Sequence, residues 1–293
     1  MISVIIPCYN SAGFLHRAVD SVIAQTYGDW ELILVNNNSK DDTQTVIEKY
    51  VQQYPDKIIG VNELGPGSAA ARNCGLALAK GEWLQFLDAD DELKPNRFEL
   101  LVNIDVVHED DIITTAYNYI EDGVVKNANA LHQDEDVWLR LINSQLGRTS
   151  AVLWKKQAVV AAGGWDNDKT SSQEYNLIFK MLKNGARLTS FADRTVNIHA
   201  TANSISRSVD KTKRLKIVNN YIRLRENIRA YLKQIGELTK RRQEAIDSLI
   251  FDNTIQYFDL APLKMFLKSI ACKSIALKHR LKCYKAALSQ LKS

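Results

Sequence analysis

The chain has 293 residues, 45% hydrophobic and 25% charged, a globular balance that excludes a disordered polymer and leaves room for one large domain with an appendage. Its net charge of +4 conceals an asymmetry: of 38 Lys and Arg and 34 Asp and Glu, residues 211 to 293 hold 19 and 6, leaving 19 and 28 for an acidic body. Four separated cysteines (Cys8, Cys74, Cys272 and Cys283) show no CxxC pair or other metal-ligand spacing, which fits thiols in a reducing compartment.

The apolar run from Ile2 to Ile6 has no basic segment or cleavage site before it, so no signal peptide is expected. No stretch approaches the roughly 20 apolar residues of a spanning helix. A cytoplasmic protein is the expectation. Short β-branched runs at 3–7, 30–35, 57–62 and 83–87 alternate with helical periodicity at 14–25, 41–53 and 69–80. Continuous apolar strands separated by helices call for a parallel sheet covered on both faces, with ligands beyond the carboxyl ends of its strands. Polar clusters fall at those ends: Tyr9-Asn10, then Asn36 to Ser39, then Asp88 to Asp91.

From about 109 to 210 the pattern is mixed, with strand candidates at 112–119 and 151–154 and a helix at 172–183. Beyond 210 the chain reads as helix. The predicted organisation is an α/β domain over 1–210, mostly parallel in its sheet, and a basic helical C-terminal extension over 211–293.

The run Phe86-Leu87-Asp88-Ala89-Asp90-Asp91-Glu92-Leu93-Lys94-Pro95 ends an apolar strand in a burst of carboxylates, with Pro95 placed at the start of a new helix. One such Asp is accounted for as a helix cap. Several at a ligand edge repel one another unless a cation is present, and Mg²⁺ or Mn²⁺ prefers carboxylate oxygens and bridges to diphosphates.

With these residues in view, the sequence resembles the family 2 glycosyltransferases of the GT-A fold. The pieces are Val4-Ile5-Ile6-Pro7-Cys8-Tyr9-Asn10, Ser21-Val22-Ile23-Ala24-Gln25-Thr26-Tyr27, Trp30-Glu31-Leu32-Ile33-Leu34-Val35, Ala71-Arg72-Asn73-Cys74-Gly75-Leu76, Ala79-Lys80-Gly81-Glu82-Trp83 and Asp88-Ala89-Asp90. They stand in the family's order over roughly the first 100 residues, and a weaker match reaches about 210. The resemblance implies a nucleotide-sugar donor, a UDP-sugar first, and a Mn²⁺ or Mg²⁺ cofactor. It implies Asp90 as metal ligand, Asp88 facing the donor's ribose or sugar, and Pro7, Tyr9 and Asn10 lining the base. Arg72 has two readings, a donor contact suited to phosphates or a DxD aspartate, and a structural ion pair. The stretch Asn36-Asn37-Asn38-Ser39 departs from the family's paired aspartates. Asn37 matches the Asp that accepts the pyrimidine imide N–H, and its carbonyl accepts without charge assistance. Asp41 and Asp42 stand near enough in sequence to compensate.

Downstream lie Gly163-Gly164-Trp165-Asp166 and Ser172-Gln173-Glu174-Tyr175-Asn176-Leu177. Inverting transfer needs one carboxylate to take the acceptor hydroxyl's proton. Gln173-Glu174-Tyr175 occupies the family's base position, so the resemblance makes Glu174 the expected base; an acidic first-turn residue is also what a helix dipole alone favours. Trp165 is a candidate acceptor wall, and Asp166 a turn-former or acceptor contact. His199, followed by Asn203-Ser204-Ile205-Ser206, resembles the family's His-x-Ser-x-Ser segment, which makes it a candidate metal ligand or phosphate contact.

From Leu263, apolar residues recur at Leu267, Ile270, Leu277, Leu281, Tyr284, Leu288 and Leu291, with Lys264, Lys268, Lys273, Lys278, Lys282 and Lys285 largely off that stripe. Two readings stand: a helix on an anionic membrane surface, at the inner face of the cell membrane, or a stripe packed on the protein or a second subunit. Nucleic acid is not expected, since the body is acidic and the tail poor in aromatics. The function expected is transfer to a saccharide or lipid-linked saccharide acceptor in bacterial surface polysaccharide assembly. The rivals are a nucleotidyltransferase, for which Cys8-Tyr9-Asn10-Ser11-Ala12-Gly13 lacks a Gly-rich basic phosphate loop, and a degenerate transferase that binds without catalysis.

Overall fold

The computed structural model describes residues 1–102, 109–129, 136–167, 171–200 and 210–290. They form two compact units, one of Met1–Gln133, Leu146–Asp168 and Gln173–Ala202, the other of Asp134–Gln145, Lys169–Ser172 and Asn203–Ser293.

The first unit begins with the expected alternation. Strand β1 (Ile2–Cys8) leads to helix α1 (Leu15–Ile23), β2 (Trp30–Asn36) to α2 (Thr43–Gln53), and β3 (Ile58–Asn62) to α3 (Ser68–Leu78) before β4 (Trp83–Phe86). β1 pairs in parallel with β2 and β4, and β2 with β3. The centre of β1 is fully buried, as a strand covered on both faces must be. Gly75 shows how closely α3 lies on it: an added Cβ would collide with the Ile5 side chain.

Beyond β4 the chain departs from strict alternation. The short β5 (Glu92–Leu93) precedes α4 (Arg97–Val102), so the helix expected at Pro95 starts two residues later. A hairpin follows, β6 (Ile112–Glu121) with β7 (Val124–Asn129), turning through Asp122 and Gly123, both at positive φ. After α5 (Val137–Ile142), which belongs to the second unit, come β8 (Val152–Lys155), α6 (Lys156–Ala161), α7 (Gln173–Lys183) and β9 (Leu188–His199). Among the described residues the sheet has nine strands in the order β3-β2-β1-β4-β8-β6-β9-β5, with β7 paired to β6. β8 is antiparallel to both β4 and β6, whereas β6 and β9 are parallel. The parallel block therefore ends at β4, where the acidic turn begins.

The second unit is helical: α5 with α8 (Lys211–Gln234), α9 (Lys240–Gln256), α10 (Pro262–Ile270) and α11 (Leu277–Gln290). Side chains cap the N-termini of α5, α8 and α9. Asp210 accepts from the Lys213 N–H at 2.7 Å, Thr239 from Arg242 and Asp136 from Leu139. The buried Arg225 donates through Nε and Nη2 to the Ile142 carbonyl, so a cation satisfies the C-terminal end of α5. Asp247, fully buried, accepts from Arg229, Gln243 and the Ser274 N–H, with the Arg229 pair at 2.5 Å. Among the described residues no helix is long and apolar enough to cross a membrane. The four cysteines are free thiols, and burial pushes Cys8 up to about 12 and Cys272 up to about 11.

Candidate functional site

At the carboxyl end of β4, Asp88 to Asp91 turn across the sheet edge. The helix α3 sends Arg72 into this turn. Its Nη2 meets Asp88 Oδ1 at 2.6 Å while Nη1 donates to Gln173 Oε1 at 2.7 Å. One buried guanidinium thus ties the strand end to the first residue of α7, next to Glu174. Ser68 donates to the same Gln173 oxygen at 3.1 Å, which holds the two helix N-termini together.

Trp165 lies beneath that guanidinium, 4.6 Å from its carbon, and only 2% exposed. Its indole stands edge-on to Phe86 and Trp154, with centroids at 4.9 and 5.9 Å. The backbone that carries it is clipped by Asn73, whose Oδ1 accepts the Trp165 N–H and whose Nδ2 donates to the Trp165 carbonyl, both at 2.9 Å. Gly164 permits this: its φ is +65°, and an added Cβ would meet Asn73 Oδ1 at 2.7 Å. Neighbouring residues of α3 therefore fix the acidic turn through Arg72 and the tryptophan loop through Asn73. Trp165, expected as part of an acceptor wall, lies in the folded chain directly under Arg72. Asp166 pairs with Lys180 at 2.8 Å, and Lys180 also donates to the Gly164 carbonyl, which pins the turn.

Glu174 occupies the first turn of α7, half-buried. Burial raises its pKa, Arg72 and Arg148 work to lower it, and Asp88 adds to the rise. A carboxyl raised in this way holds a proton more readily than an exposed Glu, as a general base must.

Asp91 has its own partners. It is buried; Ser150 Oγ donates to its Oδ2 at 2.5 Å, and the His199 N–H donates to its Oδ1 at 3.2 Å. Ser150 Oγ in turn accepts the Asp88 N–H at 3.1 Å. Burial raises the Asp91 pKa, and the charges of Asp88 and Asp90 raise it further. His199 Nε2 stands 3.3 Å from Glu92 Oε2, and burial with nearby Arg17 lowers the imidazole's pKa, favouring the neutral ring that can ligate a metal. Arg17 donates to the Asp90 carbonyl at 2.6 Å.

The donor set suits a hard cation. Asp88 and Asp90 together raise the pKa of Asp91, Asp91 is held by hydrogen bonds from Ser150 and His199, and Asp88 keeps one oxygen on Arg72, so the turn presents a concentration of carboxylate oxygens of the kind a divalent ion prefers. Among the described residues no three His, Cys, Asp or Glu side chains are gathered as a coordination shell. Mg²⁺ and Mn²⁺ do not require one, since substrate phosphates and water complete a site built on one or two carboxylates.

The other end of the edge is neutral. Asn37, buried, donates through Nδ2 to the Glu63 carbonyl at 2.9 Å and the Gly65 carbonyl at 2.7 Å, while its Oδ1 accepts the Gly67 N–H at 2.9 Å. Asn38, at φ 61° where Asn is tolerated, donates to the Leu64 carbonyl at 3.1 Å. Asn36 links to Gln44 and Ser39. The run is a clip joining the end of β2 to the β3–α3 loop. Asp41 is engaged too, accepting from Ala12 N–H and from Thr43. These hydrogen bonds outweigh its desolvation and hold its pKa below the ordinary value. Tyr9, 62% exposed, and Asn10, which accepts the Lys40 N–H at 2.8 Å, stand beside this clip at the end of β1, beyond half-buried Pro7.

Asp88, Arg72, Glu174 and Trp165 converge through Arg72; Pro7, Tyr9, Asn10 and Asn37 share the β1–β2 end. Asn203 to Ser206 lie outside the described residues. Sequence reasoning missed Gln173, Arg148, Ser150 and Arg17. Only Gln173 had a signal, its place beside Glu174; the other three are brought in by elements distant in sequence.

A family model described as "Glycosyl transferase family 2" matches residues 3–184. An uncharacterized glycosyltransferase of Nostoc sp. is 42% identical over 119 residues, 38% of this chain and 37% of the relative. The minor teichoic acid biosynthesis protein GgaB of Bacillus subtilis is 39% identical over 112 residues, 38% of this chain and 12% of its own length. The matched region thus spans little more than a third, or less, of these relatives. Among solved structures, S. aureus TarS 1-349 in complex with UDP-GlcNAc has a TM-score of 0.61 at 16% identity, covering 92% of this chain and 88% of that one. The mannosyltransferase PcManGT from Pyrobaculum calidifontis, in complex with GDP-Man and Mn²⁺, has a TM-score of 0.61 at 18% identity, covering 99% and 86%.

Proposed function

The chain belongs to glycosyl transferase family 2 and has the GT-A-like α/β fold; from that premise we propose that it is an inverting, metal-dependent glycosyltransferase acting in bacterial surface polysaccharide assembly. The donor is a nucleotide sugar, a UDP-sugar first, carrying a hexosyl or N-acetylhexosaminyl group. The acceptor is a saccharide or a lipid-linked saccharide, met by a cytoplasmic protein peripheral to the inner face of the cell membrane. The observation that supports this most is the Arg72 guanidinium, which joins Asp88 of the acidic turn to Gln173 beside Glu174.

Each residue then has a task. Tyr9 and Pro7 border the base, and Asn10 and Asn37 shape the loop that receives it. Both Nδ2 hydrogens of Asn37 are spent on carbonyls, so its Oδ1 has one remaining lone pair to offer an imide N–H. Asp88 faces the donor's ribose or sugar, oriented by Arg72. Asp90, with His199 as a further ligand, would hold Mn²⁺ or Mg²⁺, whose chemistry when bound is to screen the departing diphosphate. Glu174 takes the acceptor hydroxyl's proton as that oxygen attacks the anomeric carbon, and the bond to the nucleoside diphosphate breaks on the opposite face. Trp165 and Asp166 shape the acceptor side from below.

Release of free sugar from a nucleotide-sugar panel with Mn²⁺ tests this reading. Hydrolysis or transfer that disappears in Glu174→Gln supports it. Pyrophosphate formation from a nucleoside triphosphate and a sugar phosphate would assign the site to nucleotidyl transfer instead, and no turnover of any donor would leave a binding protein.

A further inference from the structure

Residues 262–290 hold six lysines, one arginine and no aspartate or glutamate. Helices α10 and α11 pack on one another within the helical unit through a Ser269–Tyr284 hydrogen bond and a Phe266–Tyr284 ring contact at 5.1 Å. α10 turns Met265 and Ser269 inward. Leu263, Leu267 and Ile270, on the face of α10 opposite Met265 and Ser269, and Leu277 and Leu281 on α11 are 47% to 73% exposed. Lys264, Lys273, Lys278, Lys282 and Lys285 are exposed around them. A single exposed leucine is ordinary, whereas five large aliphatic side chains within 263–281, set among lysines, form a surface suited to a partner.

Charge selects that partner. A second copy docked by the same face would set one acid-free basic patch against another, because a two-fold interface opposes identical surfaces. A soluble polyanion would use the lysines and leave the leucines in water. An anionic bilayer uses both, phosphate headgroups meeting the ammonium groups and the acyl boundary taking the leucines. We propose that the exposed faces of α10 and α11 dock this protein on anionic lipid. The inference rests on the peripheral placement proposed above and names the surface that achieves it. α10 and α11 have 9 and 14 residues, well short of the roughly 20 a spanning helix needs, so they lie in the interface plane.

The test is flotation of the full chain with phosphatidylcholine vesicles and with vesicles containing phosphatidylglycerol, donor hydrolysis being read on the same preparations. The expected result is binding to the anionic vesicles alone, falling at least about tenfold as salt rises from ~0.1 M to ~1 M. Leu263→Ser/Leu267→Ser and Lys278→Glu/Lys282→Glu each lower binding about tenfold or more, with unchanged melting midpoint and donor hydrolysis. Equal binding to both vesicle types, no binding, or binding untouched by either variant overturns the inference. So does a lipid-free dimer that the leucine variant converts to monomer. Failure of donor hydrolysis with vesicle binding intact would count against the transferase reading alone.

Discussion

The acidic turn after β4 and the asparagine run after β2 border the same edge of the parallel strands, yet they rest on opposite electrostatics. Around the turn, burial and the charges of Asp88 and Asp90 raise the pKa of Asp91, while Arg72 pairs with Asp88 and Ser150 donates to Asp91. Around the run, neutral amides donate to backbone carbonyls and the corner is satisfied by its own loop. A corner of the first kind gains from a ligand that brings positive charge. The second gains nothing from added charge, and a carboxylate there meets carbonyl oxygens.

The sharpest way to break this contrast is to disarm the charged corner. Glu174→Gln is expected to lower kcat by about 10²–10⁴-fold while donor affinity persists, measured by transfer and by donor titration. Its stability effect has the opposite sign. An acid whose folded pKa lies above its unfolded value favours folding when protonated, so its contribution to stability falls as pH rises. Glu174→Gln should therefore leave the melting midpoint at neutral pH unchanged or higher. The wild-type pH–rate profile follows from the same shift. Activity declines as pH falls through a value above the ordinary Glu range near ~4.3, and a limb at or below that value would remove Glu174 as the base.

Arg72→Gln leaves Asp88 without its cation and removes the guanidinium donor from Gln173. Because Asp88 is partly exposed, the cost is expected to be about 1–3 kcal/mol, below the 3–5 of a fully buried pair. kcat/KM should fall by about 100-fold. Asn37→Asp tests the neutral corner. A carboxylate would face the Glu63 and Gly65 carbonyls without hydrogens to give them, costing about 1–3 kcal/mol of stability. An unchanged midpoint with tighter uridine nucleotide binding would show that the loop re-forms around an aspartate. The smallest effect belongs to Asp41→Ala, about 1 kcal/mol, since it frees the Ala12 and Thr43 N–H groups at a helix start.

The parallel half was legible because a strand buried on both faces writes its apolar run into the sequence, and β1 to β4 lie within one or two residues of expectation. β6 was read as well, at 112–119, but its hairpin partner β7 and the long β9 were not, and the mixed burial of β9 gives no clean period. The acidic turn stood out in the sequence as three aspartates after an apolar strand, but that Arg72 would hold Asp88 and Ser150 would hold Asp91 could not be read there. The Arg72–Gln173 link could not either, as it spans about a hundred residues of chain and only folding brings α7 to α3. The asparagine run was read as a departure from paired aspartates; its role as a loop clip depends on backbone carbonyls that sequence does not display. The exposure of the 263–281 leucines likewise depends on what the rest of the helical unit covers, which periodicity alone does not tell.

The most direct test of the charged corner is the melting midpoint with a nucleotide-sugar panel, with and without Mn²⁺, on the wild type, Asp90→Ala and Glu174→Gln. A donor at a hundred times its dissociation constant should add about 2.7 kcal/mol to the folded state. The expected result is one donor that shifts the midpoint only with metal, a shift lost in Asp90→Ala and kept in Glu174→Gln. A metal-dependent shift that survives in Asp90→Ala, or no shift with any donor, would contradict the assignment of the acidic turn as the donor and metal site.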